Sequence, residues 1–256
     1  GYNMLDSLII LLAGIFLPLF PMSMVFNAVL DRITHSWLRL LLFITWPVIG
    51  LFVVLDRNLV LPDWLLALAL STSALYAIRL LTLREVNQWS GFLATSLWSL
   101  LWLPMMLETP SEMLYGYAIS MSTPLVLLVL LSAGLEQRFG AAYMGLYGGL
   151  ARTIPRFAGV LVIVVTAAIA TPLFPTFFIM LEMVVKTIST TPIAAAVLLL
   201  IWLFWSWAGA RLIQGMIVGR ASTVRIADLE VTTIGLYSLV LLALVVAGIY
   251  LSGVIL

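Results

Sequence analysis

Eight stretches of this chain run without a charged side chain: residues 7–30, 40–55, 64–78, 86–107, 113–135, 157–181, 187–210 and 231–256. Most reach the roughly 20 residues that a helix needs to cross a bilayer core. The second and third are only 16 and 15 residues long, and they reach it when Arg39 and Arg79 extend their heads to the interface. Hydrophobic residues make up 64% of the chain and charged ones 9%, against roughly 45–50% and about 25% in a globular protein. A sphere of 256 residues cannot hide that much apolar surface from water. Neither alternation nor turn chemistry marks strands, and an open sheet leaves polar edges that lipid cannot satisfy. The expected fold is an all-α polytopic transmembrane bundle of about eight helices, a single membrane domain over residues 1–256. The first run does not read as a signal peptide, since Asp6 precedes it and no basic segment does. Gly1 in place of a methionine suggests a trimmed or tagged start, with residues missing upstream.

The same sequence excludes many chemistries. Without cysteine there is no disulfide, thiolate metal site or iron–sulfur cluster. A single histidine, His35, excludes a bis-His haem or a His-rich metal site. A net charge of +1 does not suit nucleic acid, and no phosphate-binding or nucleophile motif occurs. No cofactor is expected, and energy must enter through another subunit or an ion gradient. Ten of the twelve basic residues lie in alternate connections, at Arg32, Arg39, Arg79, Arg84, Arg138, Arg152, Arg156, Arg211, Arg220 and Arg225; the other side has only Arg57 and Lys186. The positive-inside rule places the basic side in the cytoplasm and both termini outside, in a bacterial or archaeal inner membrane or an organellar equivalent.

Two runs carry paired prolines, Pro18 with Pro21 and Pro172 with Pro175. Each ring removes an N–H and clashes with the preceding turn, so each pair either breaks a helix at membrane depth or sits at a helix end. A clear break is expected between Thr171 and Thr176, and a milder distortion at Pro18–Pro21. Glu182 and Lys186 follow the second pair, four apart with the acid first, the favourable order for pairing on a helix. On a half-helix inside the membrane they are candidates for ion translocation, because an intramembrane charge is costly and a lysine beside a carboxylate can exchange protons. In an outer loop ending at Pro192 they would be an ordinary surface pair. His35, Glu108 and Glu112 read as solvated. The tryptophans, among them Trp37, Trp64, Trp89, Trp202, Trp205 and Trp207, read as interfacial belts and packing. Gly145, Gly148 and Gly149 read as a flexible connection.

The segment Leu146-Tyr147-Gly148-Gly149-Leu150-Ala151-Arg152-Thr153-Ile154-Pro155 resembles the antiporter-like subunits of respiratory complex I. Related subunits occur in multi-subunit sodium/proton antiporters, membrane-bound hydrogenases and inorganic-carbon uptake complexes. Leu17-Pro18-Leu19-Phe20-Pro21 resembles the break in that family's seventh helix. The segment from Pro172 to Glu182 resembles its broken twelfth helix, and Trp207 to Gly219 the exit of its thirteenth. Asp228-Leu229-Glu230 opens a last span of the expected kind. The resemblance covers nearly the whole chain, as helices 7–14 of a fourteen-helix subunit. It departs at the charged axis: Phe16, the Trp46–Pro47 pair and Thr123 stand where the family carries lysines and a histidine, and Met22 to Phe26 replaces a polar signature. Of that axis, Glu182 and Lys186 remain.

The resemblance therefore implies a truncated, partly degenerate membrane subunit of an ion-gradient-coupled complex, serving proton or sodium translocation or its structural support. It would not be catalytic alone. Its partners would be other integral-membrane subunits (a full-length antiporter-like or catalytic one), the lipid bilayer, and protons or sodium ions. Two other functions stay open on the residues: a structural anchor for a soluble catalytic subunit, and an autonomous small-solute transporter.

Overall fold

The computed structural model describes residues 3–147 and 149–256; Gly1 and Gly148, both singled out above, lie outside the described residues. These residues form twelve helices: α1 (Met4–Phe16), α2 (Met24–Arg32), α3 (Ser36–Leu55), α4 (Trp64–Leu80), α5 (Val86–Ser99), α6 (Trp102–Met106), α7 (Ser111–Phe139), α8 (Leu150–Thr153), α9 (Pro155–Ala168), α10 (Pro175–Ile188), α11 (Pro192–Ile217) and α12 (Val231–Ile255). No strand is present among them. Four helices, α3, α7, α11 and α12, are long and apolar enough to cross a membrane. The other apolar runs are built from shorter helices, either single, as α4, or in pairs, as α1 with α2, α5 with α6 and α9 with α10.

Local chemistry sets most of the boundaries. Prolines 155, 175 and 192 open α9, α10 and α11, where a missing N–H leaves nothing unpaired and φ is already helical. Gly140 ends α7 in the left-handed region at φ 82, a conformation that costs glycine nothing. The Glu85 carboxylate caps α5, accepting from the N–H groups of Asn87 and Gln88 at 3.2 and 3.0 Å. The α9 N-terminus takes its cap from the far end of the chain, with Asp228 accepting from the N–H groups of Arg156 and Phe157 at 2.9 Å each. Pro104 takes a donor from the run after α5, and the chain tightens at Leu100 and Leu101 into α6 with three-residue bonds. The sequence expected no interruption there.

The connection after α7 is tied down rather than flexible. Its backbone pairs Ala142 O with Val86 N at 3.0 Å, Met144 N with Arg84 O at 2.9 Å, Gly145 N with Gly215 O at 3.0 Å and Gly149 N with Arg220 O at 2.8 Å. A Cβ on Gly149 would run into the backbone of Gly219, so close approach requires this glycine. On the same face, burial raises the Glu85 carboxyl above its ordinary range, although the amides of Gln88 and Asn87 pull it down. Burial likewise pushes Tyr147 up to about 12.

Candidate functional site

Both proline pairs interrupt helices. Between α1 and α2 the chain leaves helical geometry over residues 17–23, and between α9 and α10 over residues 169–174. The milder distortion expected at Pro18–Pro21 is therefore a full interruption, because two missing donors within one turn leave too few bonds to carry the helix through. In the second break Ala170 and Leu173 take left-handed backbone, at φ 61 and 82, which costs each on the order of 1 kcal/mol.

Interrupted helices expose carbonyls that lipid cannot satisfy, and here indole N–H groups cover several of them. Trp46 Nε1 donates to Ile15 O at 2.9 Å, Trp102 Nε1 to Leu17 O at 3.0 Å, and Thr72 Oγ1 accepts from Phe20 N at 3.0 Å. At the second break Trp202 Nε1 donates to Ala170 O at 3.0 Å, and the Thr171 hydroxyl to Thr166 O at 2.5 Å. Each break also rests on a glycine of a neighbouring helix. A Cβ on Gly50 of α3 would lie 2.7 Å from the Leu17 side chain and 3.1 Å from Leu17 N. One on Gly248 of α12 would run into Leu173 O. Exposed Trp37 and Trp64, at the starts of α3 and α4, fit an interfacial belt, whereas exposed Trp207 lies near the middle of α11. Trp46, Trp102 and Trp202 are caps, a role that hydropathy does not reveal.

Trp102 gives this capping a measurable consequence. Trp102→Phe keeps most of the ring volume and removes the one donor to Leu17 O. An unpaired buried carbonyl costs about 1–3 kcal/mol, so the variant should lose that much stability in detergent. Trp89→Phe has no such bond to lose and serves as the comparison in the same thermal denaturation series.

The charged pair sits on α10, beyond the second break. Glu182 is 7% exposed; its carboxylate accepts the Lys186 ammonium at 2.6 Å and, on its other oxygen, the Tyr117 hydroxyl of α7. The Lys186 side chain is 45% exposed and reaches back one turn to Glu182; Lys186 itself stands two residues before Ile188, the end of α10. Glu182 lies six residues before that end, about 9 Å at 1.5 Å per residue. A cavity of about 300 Å³ between α7 and α12 reaches Tyr117 from the same end, past Glu112 and Val254, and continues to Ser120. Glu112, read from sequence as merely solvated, thus stands at the mouth of the approach. Tyr117 escaped sequence reading because an isolated tyrosine in an apolar run carries no signal of what it faces.

Among the described residues the other buried polar side chains are neutral. Ser23 and Tyr76 are 3.0 Å apart, Asn27 Nδ2 donates to Thr95 at 2.9 Å, and Ser73 meets Ser96 at 3.0 Å, with Trp205 Nε1 also donating to Ser96. Phe16 and Trp46, at two positions where the resemblance expects cations, pack with ring centroids 4.8 Å apart. The aromatic cluster continues through Phe26, Phe43 and Trp98, with Phe26 4.7 Å from Trp98 and 5.4 Å from Trp46. Thr123 turns its hydroxyl back to Ile119 O, while its neighbour Ser122 accepts from Trp98. His35 is exposed at the start of α3. Among the described residues no group of three or more potential ligands could hold a metal.

No family model matches the chain, and no curated protein does. Solved structures do. The chain is similar to one of respiratory complex I from Thermus thermophilus, with 20% identity, a TM-score of 0.80, and coverage of 96% of this chain and 54% of that one. It is similar to a chain of the Mrp complex from Dietzia sp. DQ12-45-1b, with 15% identity, a TM-score of 0.70, and coverage of 85% and 42%. A third match is a chain of the membrane-bound sulfane sulfur reductase, an archaeal respiratory membrane complex, with 14% identity, a TM-score of 0.74, and coverage of 94% and 51%. The chain spans about half the length of the proteins it matches. At these identities, what the chain shares with them is the fold.

Proposed function

We propose that the chain is a membrane subunit of a multi-subunit, ion-gradient-coupled complex, crossing the bilayer eight times with both termini outside. It holds an exchangeable proton or cation site at Glu182 and lacks a continuous charged relay of its own. The buried Glu182 carboxylate, held between Tyr117 and Lys186 on a half-helix, is the observation that carries this reading. Such a charge in a membrane is costly and persists where it is paired and used. Through-conduction is disfavoured by Phe16 and Trp46, since an ion crossing about 30 Å of hydrocarbon needs titratable or water-lined groups along its path. The site is thus suited to exchange with the outer face and with a neighbouring membrane subunit. The test is ion-coupled activity of the assembled complex carrying Glu182→Gln, scored beside the integrity of that complex. Lost coupling in an intact complex supports the reading. Unchanged coupling would make the chain a structural anchor.

The aromatic cluster also argues against an autonomous transporter, which would need a path through it. The purified chain in proteoliposomes should therefore support no solute or ion flux by itself. Topology is tested separately. Reporter fusions at Arg84, Arg152 and Arg225 should read cytoplasmic and one at Glu108 outside; an inverted pattern would remove the orientation.

A further inference from the structure

A second cavity, about 650 Å³, lies apart from the one that reaches Tyr117. It opens between α7, α9 and α12 at their basic ends, and its volume suits a small amphiphile, within the roughly 300–1,000 Å³ of ligand pockets. Its walls change character with depth. Arg138, Glu230 and Ser36 stand at the mouth, while Leu127 and Val240 line the far end. From Arg138 to Leu127 along α7, and from Glu230 to Val240 along α12, the helical rise is about 15–17 Å, roughly one leaflet of a core about 30 Å thick.

At the mouth Arg138 is held in place, and Glu230 makes no capping bond. Arg138 Nε donates to Ala227 O at 2.8 Å and Nη1 to Gly134 O at 3.0 Å, and its guanidinium lies 5.7 Å from the Phe157 ring centroid. Those contacts fix the plane of the fork and leave its other terminal nitrogen for an anion. Glu230 stands at the N-cap of α12 but makes no capping bond, whereas nearby Asp228 is fully engaged in capping α9. Among the described residues neither Arg138 nor Glu230 forms an ion pair. A cation and an anion beside each other at the membrane surface, above an apolar slot one leaflet deep, complement a zwitterion with a tail.

We propose that this groove seats an aminophospholipid of the phosphatidylethanolamine type, with its phosphate on Arg138, its primary ammonium on Glu230 and one acyl chain along α7 and α12. The proposal rests on the reading that α7 and α12 span the bilayer. An anionic headgroup would satisfy Arg138 and be repelled by Glu230. A quaternary ammonium would meet Glu230 without an N–H to donate.

The test titrates delipidated full-length chain in detergent with phosphatidylethanolamine, phosphatidylcholine and phosphatidylglycerol of identical acyl chains, counting bound lipids by native mass spectrometry. Phosphatidylethanolamine should bind tightest, at one copy per chain. Glu230→Gln should weaken it about tenfold, the loss of one charge-assisted bond, without weakening phosphatidylglycerol. Arg138→Gln should weaken both, and Ala133→Trp, which fills the slot, should abolish the site. Arg138 also braces Ala227 and Gly134, so that variant can fail to fold; Glu230→Gln, which loses no capping bond, still decides the matter. Binding of phosphatidylcholine or phosphatidylglycerol equal to that of phosphatidylethanolamine, or phosphatidylethanolamine binding untouched by Glu230→Gln, overturns the proposal. If the chain were recovered without membrane extraction, the spanning premise itself would fall.

Discussion

Glu182→Gln should reduce ion-coupled activity of the assembled complex about tenfold or more, in line with the roughly 10²–10⁴ that a positioned proton-transfer group contributes, while leaving the complex assembled. The amide keeps the shape and can still accept from Tyr117, but it cannot take or give a proton at physiological pH. Its effect on stability should be far smaller. Breaking a fully buried ion pair costs about 3–5 kcal/mol because a charge is stranded. Here the lysine side chain is 45% exposed, so its head can turn to the interface and the loss should be about 1 kcal/mol. Adding Lys186→Met removes the remaining charge and should recover that stability. In a relay the double variant stays inactive in coupling, because the titratable carboxyl is gone. In a structural pair it regains full activity. The separation of activity from stability in the double variant is the decisive measurement, read as coupled flux beside thermal denaturation of the complex. Tyr117→Phe probes the other side of the same carboxylate. It removes one donor to Glu182 and should slow coupling less than Glu182→Gln does.

Gly248→Val should be the most destabilising substitution at either break. A Cβ at this position runs into the carbonyl oxygen of Leu173, with the backbone carbons of Leu173 and Phe174 just behind it at 3.0 and 3.2 Å. Backbone cannot swing aside as a flexible side chain can, and Leu173 is already in the left-handed region. Either α12 moves off α10 or the break is remade. Overpacking of this kind costs about 1–3 kcal/mol, and more where backbone must shift. We expect at least 3 kcal/mol, at the upper end of that range, with a large fall in the yield of folded chain. Gly253→Val on the same helix meets open space and should be neutral or slightly stabilising, because valine is a better helix former than glycine. Thermal denaturation of the two variants in one detergent separates contact at the break from propensity. Equal effects would show that Leu173 does not rest on Gly248.

Much of this protein was legible from the spacing of its charges. Runs of 15–26 residues without charge demand helices and lipid whatever their neighbours are, because backbone in lipid must bond within its own segment. The paired prolines announced both interruptions, because a missing N–H acts locally. The order Glu182 then Lys186 announced their contact, because i and i+4 meet on any helix. Tertiary structure alone decided the rest. Nothing in the run around Tyr117 says that it faces Glu182, since that depends on the rotation of α7 against α10. The extent of the first break is not written in its own run, because the indoles of Trp46 and Trp102, which make its exposed carbonyls tolerable, come from 31 and 85 residues away. Gly50 and Gly248 looked like ordinary helix glycines until the chain they support was in place. Arg138 and Glu230 stand 92 positions apart in the sequence and share a groove only because α12 begins beside the end of α7. Local bonding rules act through neighbours in the chain and can be read from it. Which faces meet across the bundle is set by packing that sums over all the helices, and no single segment encodes it.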